Sequence, residues 1–73
     1  MAMICPYCEQ DFIWRVRLSS VPHIRFALCP ECDSVWQDNE VISDQGGTNF
    51  EQYMSDIRRP LDWKDVEKLA LIE

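Results

Sequence analysis

A small, zinc-stabilised α+β fold follows from three features of this 73-residue chain: two cysteine pairs, an alternating apolar pattern between them, and helical spacing beyond residue 43. The pairs are Cys5-Pro6-Tyr7-Cys8 and Cys29-Pro30-Glu31-Cys32. Two residues between thiols let one tight turn present both sulfurs to one ion. The four cysteines therefore read as the ligands of a single tetrahedral, structural zinc. The stretch from Glu9 to Leu28 then has only to go out and come back, as a β-hairpin does.

Taken in order, Met3 and Ile4 lead into the first knuckle. From Asp11 to Leu18, Phe12, Trp14, Val16 and Leu18 point one way and Ile13, Arg15 and Arg17 the other. Ser19 to His23 carries the turn signals, and Ile24, Phe26 and Leu28 resume the alternation. The expected hairpin has one apolar face and one rich in arginine. Val35 and Trp36 predict a short third strand, completing a three-stranded antiparallel sheet over residues 1–42. Ser43 to Gly47 is a loop. Thr48 and Glu51 have capping-box spacing with Thr48 at the cap, and Phe50, Tyr53, Met54 and Ile57 form one helical stripe. Arg58 and Arg59 suit that helix's C-terminus, and Pro60 ends it. A second helix is expected from Asp62, its cap, with Leu61 and Val66 as a hydrophobic staple and Trp63, Val66, Leu69, Ala70 and Ile72 as its apolar side. Helices this short are not stable alone. The C-terminal two-helix extension, residues 43–73, is therefore expected to pack on Phe12, Trp14, Val16, Ile24 and Phe26 within one domain of residues 1–73.

Residues 3–41 resemble a zinc ribbon, with Cys5, Cys8, Cys29 and Cys32 matching the family's four ligands. Ribbons of this kind often serve in transcription and RNA machinery, so the resemblance implies a structural metal and a binding role. One departure stands out. Many ribbons carry glycine after each knuckle, where the backbone turns with positive φ, and this chain has Glu9 and Asp33 there. Taken alone, Cys5-Pro6-Tyr7-Cys8 also resembles the redox pair of glutaredoxins, but no βαβ pattern accompanies it and the second pair would be left over. Two disulfides are the other rival. They need an oxidising compartment, and the start of the chain lacks the basic and apolar regions of a secretory leader. Reduced thiols in a cytoplasm are the expectation.

The formal charge is −6, with 13 acids against seven basic residues. Four thiolates and one zinc would bring it to about −8, a chain repelled at long range by nucleic acid and anionic membrane. A four-thiolate zinc has no open position for water or substrate. His23 reads as a turn residue, and no nucleophile has a recognisable base, so a non-enzyme is expected. The favoured function is a protein-binding module for a basic partner, with Asp38, Glu40, Asp44, Glu51 and Asp56 as candidate partner-binding acids. Small acidic immunity or inhibitor proteins that neutralise basic nuclease toxins work by this logic. The alternative is nucleic-acid binding, or an accessory subunit of transcription or RNA machinery, through the Arg15, Arg17 and Arg25 face with Trp36 or Tyr7 for stacking.

Overall fold

The computed structural model describes residues 2–73. Its centre is one antiparallel sheet of five strands in the order β4-β3-β2-β1-β5. Strand β1 spans Trp14–Leu18 and β2 spans Arg25–Leu28, and the hairpin pairs Val16 with Phe26 and Trp14 with Leu28. Strand β3, Ser34–Gln37, lies beside β2 with Ala27 opposite Trp36. The two-residue β4, Thr48–Asn49, closes that side.

Alternation along the strands makes two cores, one on each face of the sheet. On one face Val16, Leu18, Phe26, Leu28 and Val35 are buried with Phe50 and Met54 of helix α1, Phe50–Asp56. Tyr53 tilts against Phe26 with ring centres 4.5 Å apart. On the other face Ile13, Ala27 and Trp36 are buried with Cys5 and Cys29. Burying these seven side chains on the first face supplies the hydrophobic stabilisation that a seven-residue helix lacks by itself.

The first helix starts one residue later than the capping-box spacing implies. Thr48 belongs to β4, and Asn49 is the cap, its side-chain carbonyl accepting from the Gln52 amide at 2.7 Å. Asparagine and threonine both cap well, and both belong to β4, Thr48 opposite Val35 and Asn49 opposite Ser34. The helix ends in a Schellman turn: Arg59 N–H donates to Met54 carbonyl at 2.9 Å and Arg58 sits at φ 58°, a position glycine usually takes.

The second predicted helix is not formed. Asp62 does act as a cap, accepting from the Lys64 amide at 3.0 Å, but it starts only a single 3₁₀ turn, Trp63–Asp65. Leu61, the expected staple, is 54% exposed. From Val66 to Leu71 the chain is strand β5, antiparallel to β1, with Val66 opposite Leu18 and Leu71 opposite Trp14. The physical reason is the free edge of β1. A strand there satisfies a row of backbone groups that a second helix would have left to water. Beyond β5 the chain ends interlock: Ile72 N–H donates to Ile13 carbonyl, while Met3 donates to Ile72 and accepts from Ile13. Phe12, expected under the helices, instead forms an isolated bridge with Ile4 and stays 42% exposed. No helix among the described residues is long and apolar enough to cross a membrane.

Candidate metal centre

The two knuckles are built alike. In each, the residue after the second cysteine donates its amide to the first cysteine's carbonyl: Glu9 to Cys5 at 3.0 Å and Asp33 to Cys29 at 2.9 Å. Closing that turn puts Glu9 at φ 55° and Asp33 at φ 62°. Both positions are left-handed, although neither holds glycine. Each knuckle also leads straight into pairing, since Cys5 donates to Asp11 carbonyl and Cys29 to Ser34 carbonyl, both at 2.9 Å. Two rigid turns therefore face each other across the end of the hairpin.

Their four sulfurs lie within 4.8 Å of one another. Cys5 Sγ is 3.6 Å from Cys32 Sγ, and Cys8 Sγ is 3.6 Å from Cys29 Sγ. An ion about 2.3 Å from each of four tetrahedral sulfurs requires edges of about 3.8 Å, so the donor set fits a metal ion. Disulfide sulfurs would stand about 2.05 Å apart, and all four cysteines are free thiols. The first cysteine of each pair is fully buried and the second half-buried. Burial pushes the thiols of Cys5 and Cys29 above their ordinary range. Burial also acts on Cys32, but hydrogen bonds from the Ser34 hydroxyl and amide, together with the Cys5 and Cys29 thiols, outweigh it and bring that thiol down to about 7. Ser34 Oγ stands 3.1 Å from Cys32 Sγ, and the Gln10 amide donates to Cys8 Sγ at 3.5 Å. Neither outer contact is recognisable from spacing, although polar groups in the first turn past a knuckle are where such donors arise.

A third group clamps the site from outside. Tyr7, inside the first knuckle, stacks on Trp36 with ring centres 5.8 Å apart and donates its hydroxyl to the Gly46 carbonyl. Trp36 is fully buried, and its indole N–H donates to the Ser43 carbonyl at 3.1 Å. Glu40 closes the same loop, accepting from the Gln37 amide at 3.0 Å and the Gly47 amide at 2.9 Å. Gly47 has φ 82°, and a Cβ there would lie 2.7 Å from Val35 carbonyl and 2.8 Å from Trp36 Nε1. Glycine is required at that position.

The other candidate residues are dispersed. Asp38 forms an ion pair with Arg15, and Glu40 serves the loop. Asp44 and Glu51 are exposed, and Asp56 accepts from Gln52 Nε2 at 2.8 Å along the helix. Arg17 pairs with Glu67 at 2.9 Å, while Arg25 is exposed. His23 lies exposed in the hairpin turn. Asp65 pins the tip of the hairpin, accepting from the Ser20 amide and hydroxyl. Comparison with protein-family models, curated protein sequences and solved structures finds no match to this chain.

Proposed function

We propose that this chain is a non-catalytic zinc-ribbon module whose partner is a basic protein, the case in point being an immunity or inhibitor protein set against a nuclease toxin. Zinc is the ion of choice because four thiolates in a tetrahedron match its softness and its lack of geometric demand. A zinc so enclosed has no open coordination site, so it stabilises the fold and leaves recognition to the surface. The reading places the chain in a reducing compartment such as the cytoplasm, where the thiols remain available to the metal.

One observation carries the choice of a protein partner over nucleic acid. Two of the three arginines on the basic face are engaged by Asp38 and Glu67, and of the two rings offered for base stacking Trp36 is fully buried while Tyr7, 48% exposed, already stacks on it and donates to the Gly46 carbonyl. What is left outside is a chain of formal charge −6 with Asp44 and Glu51 exposed. Electrostatic complementarity of this kind speeds encounter with a basic partner more than it tightens the complex.

The test is an affinity capture of partners with and without nuclease treatment, followed by kinetics. Asp44→Lys with Glu51→Lys should slow association with a captured basic protein, less so at high salt, and leave dissociation nearly unchanged. Short RNA and DNA oligonucleotides should bind no more tightly than about 10⁻⁴ M at physiological salt, the weak end of non-specific binding. Micromolar oligonucleotide binding that is lost on replacing Arg15 and Arg17 by alanine would overturn the reading.

A further inference from the structure

Strand β5 is the longest strand of the sheet, Val66–Leu71, and among the described residues it stands at the edge with β1 on one side only. Ser19 N–H donates to the Asp65 carbonyl, so by the two-residue alternation of an antiparallel ladder the backbone of Glu67 also turns toward β1. The Val66 carbonyl and both backbone groups of Lys68 then face outward, while the Val66 amide is held by Trp63 carbonyl. The side chains of the same two residues line a cleft of about 320 Å³, walled otherwise by Leu28, Pro30, Trp63 and Asp33. Trp63 is braced there, its ring 4.0 Å from that of Phe50, yet it remains 44% exposed. Natural edge strands are kept short, covered, bulged or charged; β5 is six residues long and uncovered by any described element, and its guards are a register shift opposite Arg15 and Val16 and the charge of Lys68.

We infer that β5 and its cleft receive an extended, basic segment of the partner protein, added as a sixth strand. The free carbonyls and amide specify a strand. Leu28, Pro30, Trp63 and Val66 specify one large apolar anchor; Lys68 turns its ammonium over the Trp14 ring, 4.9 Å from its centre, and Asp33, in a chain of formal charge −6, favours basic neighbours. The inference rests on the basic-protein reading above and names its surface.

The probe is a short capped peptide that alternates lysine with valine and carries one central leucine, titrated into the isotope-labelled, zinc-loaded full chain. Chemical-shift changes should centre on Val66, Lys68, Trp63, Leu28 and Asp33, with exchange of the Lys68 amide slowed. N-methylation of alternate peptide amides should weaken binding roughly tenfold or more, since it deletes main-chain hydrogen bonds and leaves charge and anchor intact. Replacing its lysines by glutamate should do likewise. Lys68→Pro removes the outward N–H at a place where a sheet edge tolerates proline, and should abolish peptide binding with zinc content retained. If that variant fails to fold, the N-methylated peptide decides alone. Affinity unmoved by N-methylation, shifts centred on Arg25 or on Asp44 and Glu51, or a concentration-dependent dimer that Lys68→Pro abolishes would each overturn the inference. A captured basic protein indifferent to Lys68→Pro overturns this surface only; peptide binding at β5 with no basic protein captured overturns the function instead.

Discussion

Gly47→Ala should be among the most damaging single-methyl changes available to this chain. At φ 82° an alanine incurs the left-handed penalty, about 1–2 kcal/mol. Its Cβ would sit 2.7 Å from the Val35 carbonyl and 2.8 and 2.9 Å from Nε1 and Cδ1 of Trp36. Neither neighbour yields: the carbonyl belongs to a central strand, and the indole is fully buried and held by Ser43. Overpacking of that kind costs about 1–3 kcal/mol, and the stiffer unfolded chain returns about 0.4–1. The net loss is about 1–4.5 kcal/mol, against a total stability of about 4–11 kcal/mol for a domain this size. Gly46→Ala is the internal control. Its Cβ would lie 2.9 Å from Glu40 Oε2, the side-chain oxygen that accepts from the Gly47 amide, so a shift of that carboxylate relieves the contact at the cost of one hydrogen bond, about 1 kcal/mol. Urea unfolding followed by tryptophan fluorescence, at one fixed free zinc concentration, measures both. Equal losses for the two variants, or a Gly47→Ala loss below about 0.5 kcal/mol, would refute the account of the loop clamped over Trp36.

The remaining predictions concern the metal and the elements beyond the knuckles. Elemental analysis of protein purified without added metal should give close to one zinc per chain, and Cys29→Ser should abolish cooperative unfolding, because binding free energy at such a site is folding free energy; two disulfides and no metal would contradict it. Burial raises the Cys5 and Cys29 thiols, so between about pH 6 and 8 zinc must displace protons from both and apparent affinity should climb steeply with pH, which competition titrations against a chelator would record. Phe50→Ala empties a site that touches both Phe26 and Trp63 and should cost about 3–5 kcal/mol by chemical denaturation. Truncation after Val41 removes α1, β4 and β5 together, exposing Phe26, Leu28 and both sheet edges; light scattering should show aggregation, and a soluble, well-dispersed fragment would show that these elements are dispensable.

What could be read from the sequence is what depends on neighbours along the chain. The two C-x-x-C turns, the hairpin between them and the strand through Val35 and Trp36 rest on period-two alternation and tight turns, which are local properties. A positive φ after each knuckle was implied only by the ribbon resemblance, and the absence of glycine spoke against it; the fold sets it at Glu9 and Asp33 all the same. The stripe of α1 was legible too, although its cap is Asn49 and not Thr48. Only the tertiary structure decided the last third of the chain. Trp63, Val66, Leu69, Ala70 and Ile72 fit a helical stripe, and the same segment makes an acceptable strand, so periodicity could not choose. The unpaired edge of β1 chose, since a backbone row that needs partners outweighs a helix too short to stand alone. The duties of the acids were decided in the same way. Asp38, Glu40 and Glu67 look alike in sequence, yet folding brings the first to Arg15, the second to the amides of a glycine loop and the third to Arg17 across 50 residues. Charge composition is a property of the chain; which charges remain free to meet a partner is a property of the fold.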